Sequence, residues 1–221
     1  MGHRVGVVLS GCGYLDGAEI HESVCALLAL DRAGAETRIF APDVEFDVVD
    51  HLTGKGTGER RNVLVEAARI ARGEVEELGA AHADELDALI LPGGFGAAKN
   101  LSNFATEGAQ ASMHEGLATL MRTMHEAGKP IGAICISPAL VALALGKDRP
   151  EVTIGNDEGT AGALEKLGCH HQDCAVEDFV IDRQQKIVTT PAYMLGPSVA
   201  RVQQGIDKCV AETLRLIGDP A

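Results

Sequence analysis

The sequence predicts an α/β fold, a three-layer α/β/α sandwich around a doubly wound, mostly parallel sheet. Short apolar runs alternate with longer amphipathic stretches along most of the chain, and this alternation indicates a parallel sheet with helices on both faces. The apolar runs are also continuous, as in strands that are buried on both sides. We therefore expect a flavodoxin-like architecture whose ligand site lies beyond the carboxyl ends of the strands.

The composition predicts a single domain over residues 1–221. Hydrophobic residues make up 46% of the 221 positions, which is enough for a sizeable core, and no shift in composition divides the chain. Aromatic residues make up only 3% and tryptophan is absent from the sequence. The core is therefore expected to be aliphatic and rich in alanine.

The first predicted strand is the apolar run at 4–9, and the helix after it covers 19–33. That helix carries apolar residues at helical spacing, and Gly34 ends it. A second strand follows at 36–41, whereas the polar, glycine-rich stretch at 43–58 is expected to be a loop.

The middle of the chain continues the alternation. We expect a helix at 60–71, a short strand at 74–78 and a buried strand at 87–91. A further helix at 111–127, with its apolar residues on one face, leads into a buried strand at 130–134.

The last third of the chain repeats the same pattern with shorter strands. Helices are expected at 138–145, 159–167 and 197–217, and strands at 152–154, 179–181 and 186–190.

Cys135 lies on the tight turn between the strand at 130–134 and the helix that begins at Pro138. We expect the hydroxyl of Ser137 to cap this helix, and proline suits the first helical position because its missing N–H would have no partner there. Backbone N–H groups and the positive helix end should lower the pKa of the thiol and favour a reactive thiolate. The alternative is a small buried core cysteine, but the turn favours a functional thiol.

Three segments are expected to meet at the carboxyl ends of the strands, namely 10–17, 92–96 and the turn at Cys135. There the backbone N–H groups of Gly94 and Ile136 could stabilise the oxyanion that forms when a thiolate adds to a carbonyl. The alternative is an ordinary glycine turn after a strand.

Glu19 and Glu22 are one helical turn apart, at the start of the first helix. A partly desolvated carboxyl there could act as a general acid or base beside the sulfur, and the alternative is a solvated charge that complements the helix dipole. Of the eight histidines, only His21 and His114 are plausible partners for the cysteine, and both are expected to be surface residues.

No cofactor is expected, and no metal. The stretch Cys-His-His-Gln-Asp-Cys at 169–174 fits no standard zinc spacing. Cys12, in a glycine-rich turn, could be a second reactive thiol, although a structural role is favoured.

A formal net charge of −13 argues against nucleic acid and against an anionic membrane surface as partners. The six cysteines are expected to be reduced thiols, because the chain is long, has a good core and leads directly from Met1 into a strand. These observations predict a cytoplasmic protein without a membrane span.

Five stretches carry a resemblance to a known family. They are LSGCG at 9–13, DGAEIHE at 16–22, HLTG at 51–54, LPGGFGAAKNLSNF at 91–104 and TTPAYM at 189–194. With them the chain resembles the ThiJ/PfpI superfamily, which has the class I glutamine amidotransferase-like fold, and within it the ElbB type, also called enhancing lycopene biosynthesis proteins or glyoxalase ElbB. The resemblance covers nearly the whole chain.

The resemblance implies that Cys135 is the reactive cysteine, that Glu22 rather than Glu19 is its carboxylate partner, and that Gly94 belongs to the oxyanion hole. Further positions expected in the pocket are Gly93, Phe95, Cys12, Glu19, Asn100 and Tyr193. The chain departs from the catalytic triads of the superfamily, because Ile136 follows the cysteine where many members have histidine. Gly155 and Asn156 occupy the region of the other triad histidine, which places glutaminase and protease chemistry in doubt.

By this resemblance we expect a cofactor-independent glyoxalase, a lyase-type enzyme that converts glyoxal or methylglyoxal to a 2-hydroxy acid without glutathione. The activity is expected to be linked to isoprenoid biosynthesis, its partner is a small dicarbonyl substrate, and the superfamily implies a homodimer. Two alternatives stay open. One is a non-catalytic regulatory protein with an oxidisable Cys135, and the other is a deglycase that removes early sugar adducts from amines.

Overall fold

A seven-stranded sheet forms the centre of the computed structural model, which describes residues 2–196 and 198–219. The strands, in chain order, are β1 (Arg4–Val8), β2 (Glu36–Ala41), β3 (Glu45–Asp50), β4 (Lys55–Asn62), β5 (Glu76–Glu77), β6 (Ala88–Leu91), β7 (Ile131–Ile134), β8 (Glu151–Val152), β9 (His170–His171), β10 (Val180–Asp182) and β11 (Ile187–Thr190). The order across the sheet is β10-β11-β7-β6-β1-β2-β5. Each pairing in it is parallel except that of β10 with β11.

Helices cover both faces of this sheet. They are α1 (Ile20–Arg32), α2 (Val63–Ile70), α3 (Phe95–Lys99), α4 (Phe104–Glu107), α5 (Glu115–Glu126), α6 (Pro138–Leu145), α7 (Glu158–Lys166) and α8 (Val199–Arg215). Short 3-10 turns occur at Leu78–Ala80, Ala83–Glu85, Gly108–Gln110, Gly146–Asp148 and Ala192–Met194. The predicted mostly parallel α/β fold with helices on both sides is therefore confirmed.

The core has two halves because successive side chains of a strand point to opposite faces of the sheet. On one face, Leu89 of β6 packs in a cluster with Met121 of α5, and α6 and α7 contribute to the same cluster. On the other face, Ile90 packs with Leu30 of α1 and Ile206 of α8. The long apolar runs of the sequence are thus buried on both sides.

The loop predicted at 43–58 is wrong, because most of this stretch belongs to the antiparallel hairpin of β3 and β4. In β3, buried and exposed residues alternate from Glu45 to Val48, a period-two pattern typical of a strand with one solvent face. Most residues of β4 are exposed, so its strand conformation comes from pairing with β3. Because β4 continues to Asn62, α2 begins three residues later than predicted, and the Asn62 side chain caps it by accepting from the Val65 N–H (3.1 Å).

The fold places four loops side by side. Strands β1, β6, β7 and β11 are neighbours that run parallel, so their carboxyl ends meet at the same edge of the sheet. Cys135 follows β7, Gly93 follows β6 and Tyr193 follows β11. The loop after β1 leads into α1, whose first turn contains Glu22.

Within residues 2–196 and 198–219, the helices are too short or too polar to cross a bilayer. The predicted start of the last helix at Pro197 lies outside the described residues.

Candidate active site

Cys135 occupies a strained turn between β7 and α6. Its backbone has φ of +63°, a left-handed conformation that costs a non-glycine residue about 1–3 kcal/mol and persists only where the surroundings enforce it. The N–H of Cys135 donates to the carbonyl oxygen of Thr190 at the end of β11 (2.9 Å). The turn therefore holds the sulfur in one place at the edge of the sheet.

Ser137 supports this turn in a different way from the one expected. Its side chain makes no capping hydrogen bond to α6, and its hydroxyl donates instead to the carbonyl oxygen of Pro92 (2.7 Å). The reason is conformational, because Ser137 is already helical (φ −63°, ψ −18°), whereas a capping serine is extended. The hydroxyl joins the cysteine turn to the loop after β6.

Glu22 is fully buried in the first turn of α1 (0% exposed). Its Oε2 accepts from the Gly93 N–H (3.0 Å) and its Oε1 accepts from the Tyr193 N–H (3.2 Å). Burial raises the pKa of Glu22 to about 8, and the nearby charge of Glu19 adds to the rise. Loss of water thus outweighs the two N–H donors, and the carboxyl is mostly protonated at neutral pH.

Gly93 separates the carboxyl of Glu22 from Cys135. A Cβ atom on Gly93 would lie 2.4 Å from the Cβ of Cys135 and 2.7 Å from Oε2 of Glu22. Both distances are shorter than real Cβ contacts, so only glycine lets the carboxyl and the cysteine approach each other across the backbone.

The thiol of Cys135 is not the resting thiolate that the sequence suggested. Its side chain is almost enclosed (7% exposed). Burial, the charge of Glu22 and a hydrogen bond with the Glu22 carboxyl all raise the pKa of the thiol well above its usual value. The N–H groups of Gly94 and Ile136 oppose this by hydrogen-bonding the sulfur, but they do not outweigh burial. The thiol and the carboxyl therefore titrate as a coupled pair, protonated at rest.

Gly94 and Ile136 supply two backbone donors at the sulfur. Gly94 has φ of +95°, and a Cβ there would lie 2.4 Å from the backbone nitrogen of Glu19, so the position requires glycine. N–H groups that reach the sulfur can also reach an oxygen on a carbon bonded to it. The arrangement has the form of an oxyanion hole.

Glu19 takes a structural position at the start of α1. Its Oε2 accepts from the Glu22 N–H (2.7 Å), which caps the helix, and its own N–H donates to the carbonyl oxygen of Gly93 (2.9 Å). Glu19 also lines the cleft described next, where it brings a negative charge close to Glu22.

A cleft of about 860 Å³ opens in front of the cysteine. The predicted residues that line it are Cys135, Gly94, Ile136, Glu19, Phe95 and Tyr193. Gly93 lies behind the sulfur, between it and Glu22. Two predicted pocket residues lie elsewhere. The Asn100 amide donates to the carbonyl oxygens of Ser10 and Asp16 and ties a loop together, and Cys12 lies near the charges of Glu66, Arg69 and Asp16.

Sequence reasoning missed part of the cleft wall. The additional residues are Tyr14, Ala98, Phe104, Ala105, Gly108, Gly159, Thr160, Ala163 and Met194. Three of them belong to α7, which follows β8 and not a strand of the central sheet. The expectation that a ligand site lies at the carboxyl ends of the central strands therefore could not predict them. The wall they complete is largely apolar.

The two histidines singled out in the sequence have different surroundings. His21 lies at the cleft, where its Nδ1 is 2.7 Å from the hydroxyl oxygen of Tyr193. His114 lies at a separate cavity beside α5 and the 3-10 turns before β6. In the part of the chain that the structure describes, His, Cys, Asp and Glu side chains form no group of three suited to a metal ion.

Comparison with known proteins identifies relatives of this chain. A human protein named glutamine amidotransferase-like class 1 domain-containing protein 3, mitochondrial, is 45% identical over 97% of this chain and 84% of its own length. The rat ES1 protein homolog, mitochondrial, is 43% identical with the same coverage. A crystal structure of an isoprenoid biosynthesis protein with an amidotransferase-like domain from Ehrlichia chaffeensis superposes with a TM-score of 0.91 at 38% identity, over 97% of this chain and 99% of that one.

These relatives correct the predicted cytoplasmic location, because the human and rat proteins are both named as mitochondrial. The prediction relied on free cysteines, which indicate a reducing compartment. A reducing environment is not unique to the cytoplasm, so cysteine usage could not distinguish between compartments.

The DJ-1/PfpI family pattern matches residues 12–155 of this chain. This match includes the first turn of α1, the loop after β6 and the cysteine turn, and it agrees with the similarity to the human protein along nearly the whole length. The chain belongs to the DJ-1/PfpI family.

Proposed function

We propose that this protein is a cofactor-independent enzyme of the ElbB glyoxalase type, which converts glyoxal or methylglyoxal to a 2-hydroxy acid. The observation that carries the proposal is the close approach of the buried Glu22 carboxyl to Cys135 across Gly93, beside two backbone donors at the floor of an open cleft. A thiol, one proton-carrying carboxyl and an oxyanion hole are the groups that this chemistry needs.

The reaction begins when the pair has lost one proton and the Cys135 thiol passes its own proton to the Glu22 carboxylate, which puts the negative charge on sulfur. The thiolate adds to the aldehyde carbon, so that a C–S bond forms and the carbonyl electrons move to oxygen. The N–H groups of Gly94 and Ile136 bind this oxyanion. Glu22 then gives it a proton, which yields a hemithioacetal and a carboxylate.

The carboxylate of Glu22 next removes the hydrogen from the carbon bonded to sulfur as a proton, the electron pair moves toward the ketone oxygen, and that oxygen gains a proton to complete an enediol. Glu22 returns a proton to the neighbouring carbon, and the hydroxyl on the carbon bonded to sulfur loses its proton, which leaves a thioester of the 2-hydroxy acid on Cys135. Water attacks the thioester and gives up a proton to Glu22, and the C–S bond breaks to regenerate the thiolate. One carboxyl thus serves alternately as acid and base, and a pKa of about 8 suits both roles.

The apolar cleft supports a neutral, compact electrophile as substrate. The cleft-lining residues that the structure describes include neither lysine nor arginine, so the cleft wall itself offers no cation to a phosphorylated or carboxylated substrate. The redox-responsive alternative needs only an oxidisable thiolate and gives no role to the buried carboxyl of Glu22, which the glyoxalase reaction uses to carry a proton. The deglycase alternative would use the same residues on a larger adduct.

The description of the Ehrlichia protein supports a metabolic context for the proposed activity. That relative is described as an isoprenoid biosynthesis protein, and we include a link between dicarbonyl removal and this pathway in the proposal.

The direct test is turnover of methylglyoxal and glyoxal by purified protein without glutathione, followed by quantifying lactate and glycolate. We expect both products, and we expect Cys135→Ala to abolish them. A protein that makes neither acid, or a Cys135→Ala variant as active as the wild type, would overturn the proposal.

A further inference from the structure

The proposed isomerisation needs a second proton carrier, and this inference rests on that proposed function. When Glu22 takes the hydrogen from carbon, the ketone oxygen of the substrate must gain a proton to become an enediol. When Glu22 returns the proton to the second carbon, the other hydroxyl must lose one. A single carboxyl moves the carbon-bound proton, so the two oxygens require another donor and acceptor.

His21 and Tyr193 form a hydrogen-bonded pair at the cleft. The Nδ1 of His21 is 2.7 Å from the hydroxyl oxygen of Tyr193, and the two rings lie 5.8 Å apart between centroids. Both residues line the same cleft as the cysteine. The pair therefore places a phenol and an imidazole in the cleft into which any group bonded to Cys135 would extend.

The pair is connected to Glu22 through both of its members. His21 precedes Glu22 in α1, and the backbone N–H of Tyr193 donates to Oε1 of Glu22 (3.2 Å). The carboxyl that would move the carbon-bound proton and the phenol that would serve the oxygens are thus held by one set of contacts. Fixed placement of this kind is what proton transfer in an active site requires.

The charges around the pair suit a donor that is protonated at rest. Partial burial and the charges of Glu19 and Glu22 raise the pKa of Tyr193, so the phenol keeps its proton at physiological pH. His21 is exposed and can exchange protons with water. The imidazole can therefore replace the proton that the phenol gives away.

We propose that Tyr193 is a catalytic acid and base for the two substrate oxygens and that His21 positions it and restores its proton. As the C–H bond breaks, the Tyr193 hydroxyl gives its proton to the ketone oxygen, while His21 Nδ1–H passes a proton to the phenol oxygen and takes one from water at Nε2. As the second carbon is protonated, the other enediol hydroxyl loses its proton to the pair, which releases one to water. Protons balance over the two steps, and no redox partner is involved.

The decisive variant is Tyr193→Phe, which keeps the ring and the backbone N–H to Glu22 but removes the hydroxyl. We expect kcat for methylglyoxal to fall by about 10²-fold, the lower end of general acid–base effects, with a smaller change in KM. The rate at which iodoacetamide alkylates Cys135 should be unchanged. The isotope effect with methylglyoxal deuterated at the aldehyde carbon should grow, because isomerisation then limits turnover.

A second variant, His21→Gln, keeps the proposal testable if the first one folds poorly, because His21 is exposed. We expect a smaller loss of kcat, and a double variant no slower than Tyr193→Phe alone, because two residues that act as a unit show non-additive losses. Wild-type turnover together with unchanged kcat in the folded variants would overturn this inference and leave the proposed function standing. A wild-type protein that is alkylated at Cys135 but makes no 2-hydroxy acid would overturn both.

Discussion

The carboxyl of Glu22 and the side chain of Cys135 approach each other across Gly93, where one added Cβ would touch both, and the charge of the first raises the pKa of the second. Each group lies where a sequence alone would place an ion, at the first turn of a helix or at a strand-to-helix turn, but each is enclosed by its neighbours. Loss of water therefore governs both pKa values. The pair keeps its protons until a substrate or a higher pH removes one.

Replacing Glu22 with glutamine should separate thiol reactivity from turnover. The variant removes the negative charge and the carboxylate acceptor that raise the pKa of Cys135 when Glu22 is ionised, so that pKa should fall. Alkylation of Cys135 by iodoacetamide, followed by peptide mass spectrometry from pH 6 to 10, should be faster than in the wild type above about pH 8, where the wild-type Glu22 is ionised, and similar to it below that pH. Formation of lactate from methylglyoxal should be lost, because the amide cannot carry the proton.

The matched control is Glu19→Gln, which keeps an acceptor for the helix cap and leaves Glu22 in place. Its alkylation profile should shift less than that of Glu22→Gln. A Glu22→Gln variant with slower alkylation than the wild type would contradict the assigned direction of the coupling.

Stability should fall as pH rises from about 4.5 to about 8. The pKa of Glu22 rises from 4.5 to about 8 on folding, so across this window the folded state binds more protons than the unfolded state. The free energy of unfolding then decreases with pH, at up to about 1.4 kcal/mol per pH unit for one group. The contribution of Glu22 is fully present below pH 4.5 and is lost as pH approaches 8.

Urea unfolding of the wild type and of Glu22→Gln at pH 5 and pH 8 measures this directly. The difference between the two proteins isolates Glu22 from the other titrating groups. The wild type should lose more stability than the variant between the two pH values, and equal losses would rule out a buried, protonated Glu22.

Much of the fold could be predicted from sequence because burial leaves a pattern. Continuous apolar runs such as Ala88–Leu91 mark the central strands, and the apolar spacing of α1 marks its buried face. The hairpin of β3 and β4 left little signal, because most of β4 is exposed. Its strand conformation depends on the partner strand and not on a core-facing side chain.

The candidate site was predictable only in part, for a similar reason. Cys135 and Glu22 stand out from local features, namely a strand-to-helix turn and a first helical turn. Their protonation depends on how far distant segments exclude water, which no local pattern reports. The contact between His21 and Tyr193 joins residues 172 positions apart, and the sequence carries no periodicity that links them.

Gly93→Ala tests whether the close approach of Glu22 and Cys135 requires a missing side chain. The added Cβ would lie 2.4 Å from the Cβ of Cys135, so we expect a loss of about 1–3 kcal/mol in the free energy of unfolding, as in overpacked cores, together with loss of turnover. Gly162→Ala is the matched control. It lies within α7, where an added Cβ would meet no atom within 4 Å, and alanine there should leave the free energy of unfolding unchanged or raise it by up to about 1 kcal/mol. Similar destabilisation in both variants would show that Gly93 has no special role.

The negative charge of Glu19 should make the cleft favour a neutral substrate over an anionic substrate of the same shape. Glu19 is the only acidic residue among the described cleft-lining residues, and lysine and arginine are absent from that set. An anionic substrate about 8 Å from this carboxylate would lose roughly 1 kcal/mol at an effective dielectric constant near 40, which corresponds to about a fivefold change in rate. 4-Carbamoylphenylglyoxal should therefore show a higher kcat/KM than 4-carboxyphenylglyoxal, because the two match closely in shape and differ in charge at the far end of the ring.

Glu19→Gln identifies the source of this selectivity. The variant also lowers the pKa of Glu22, since the Glu19 charge contributes to its rise, but that change affects both substrates alike and cancels in their ratio. The ratio of kcat/KM for the neutral over the anionic substrate should fall toward one in Glu19→Gln and should also fall with added salt, because exposed charges are screened. A ratio that is the same in both proteins would mean that shape, and not the field of Glu19, decides which dicarbonyl reaches Cys135.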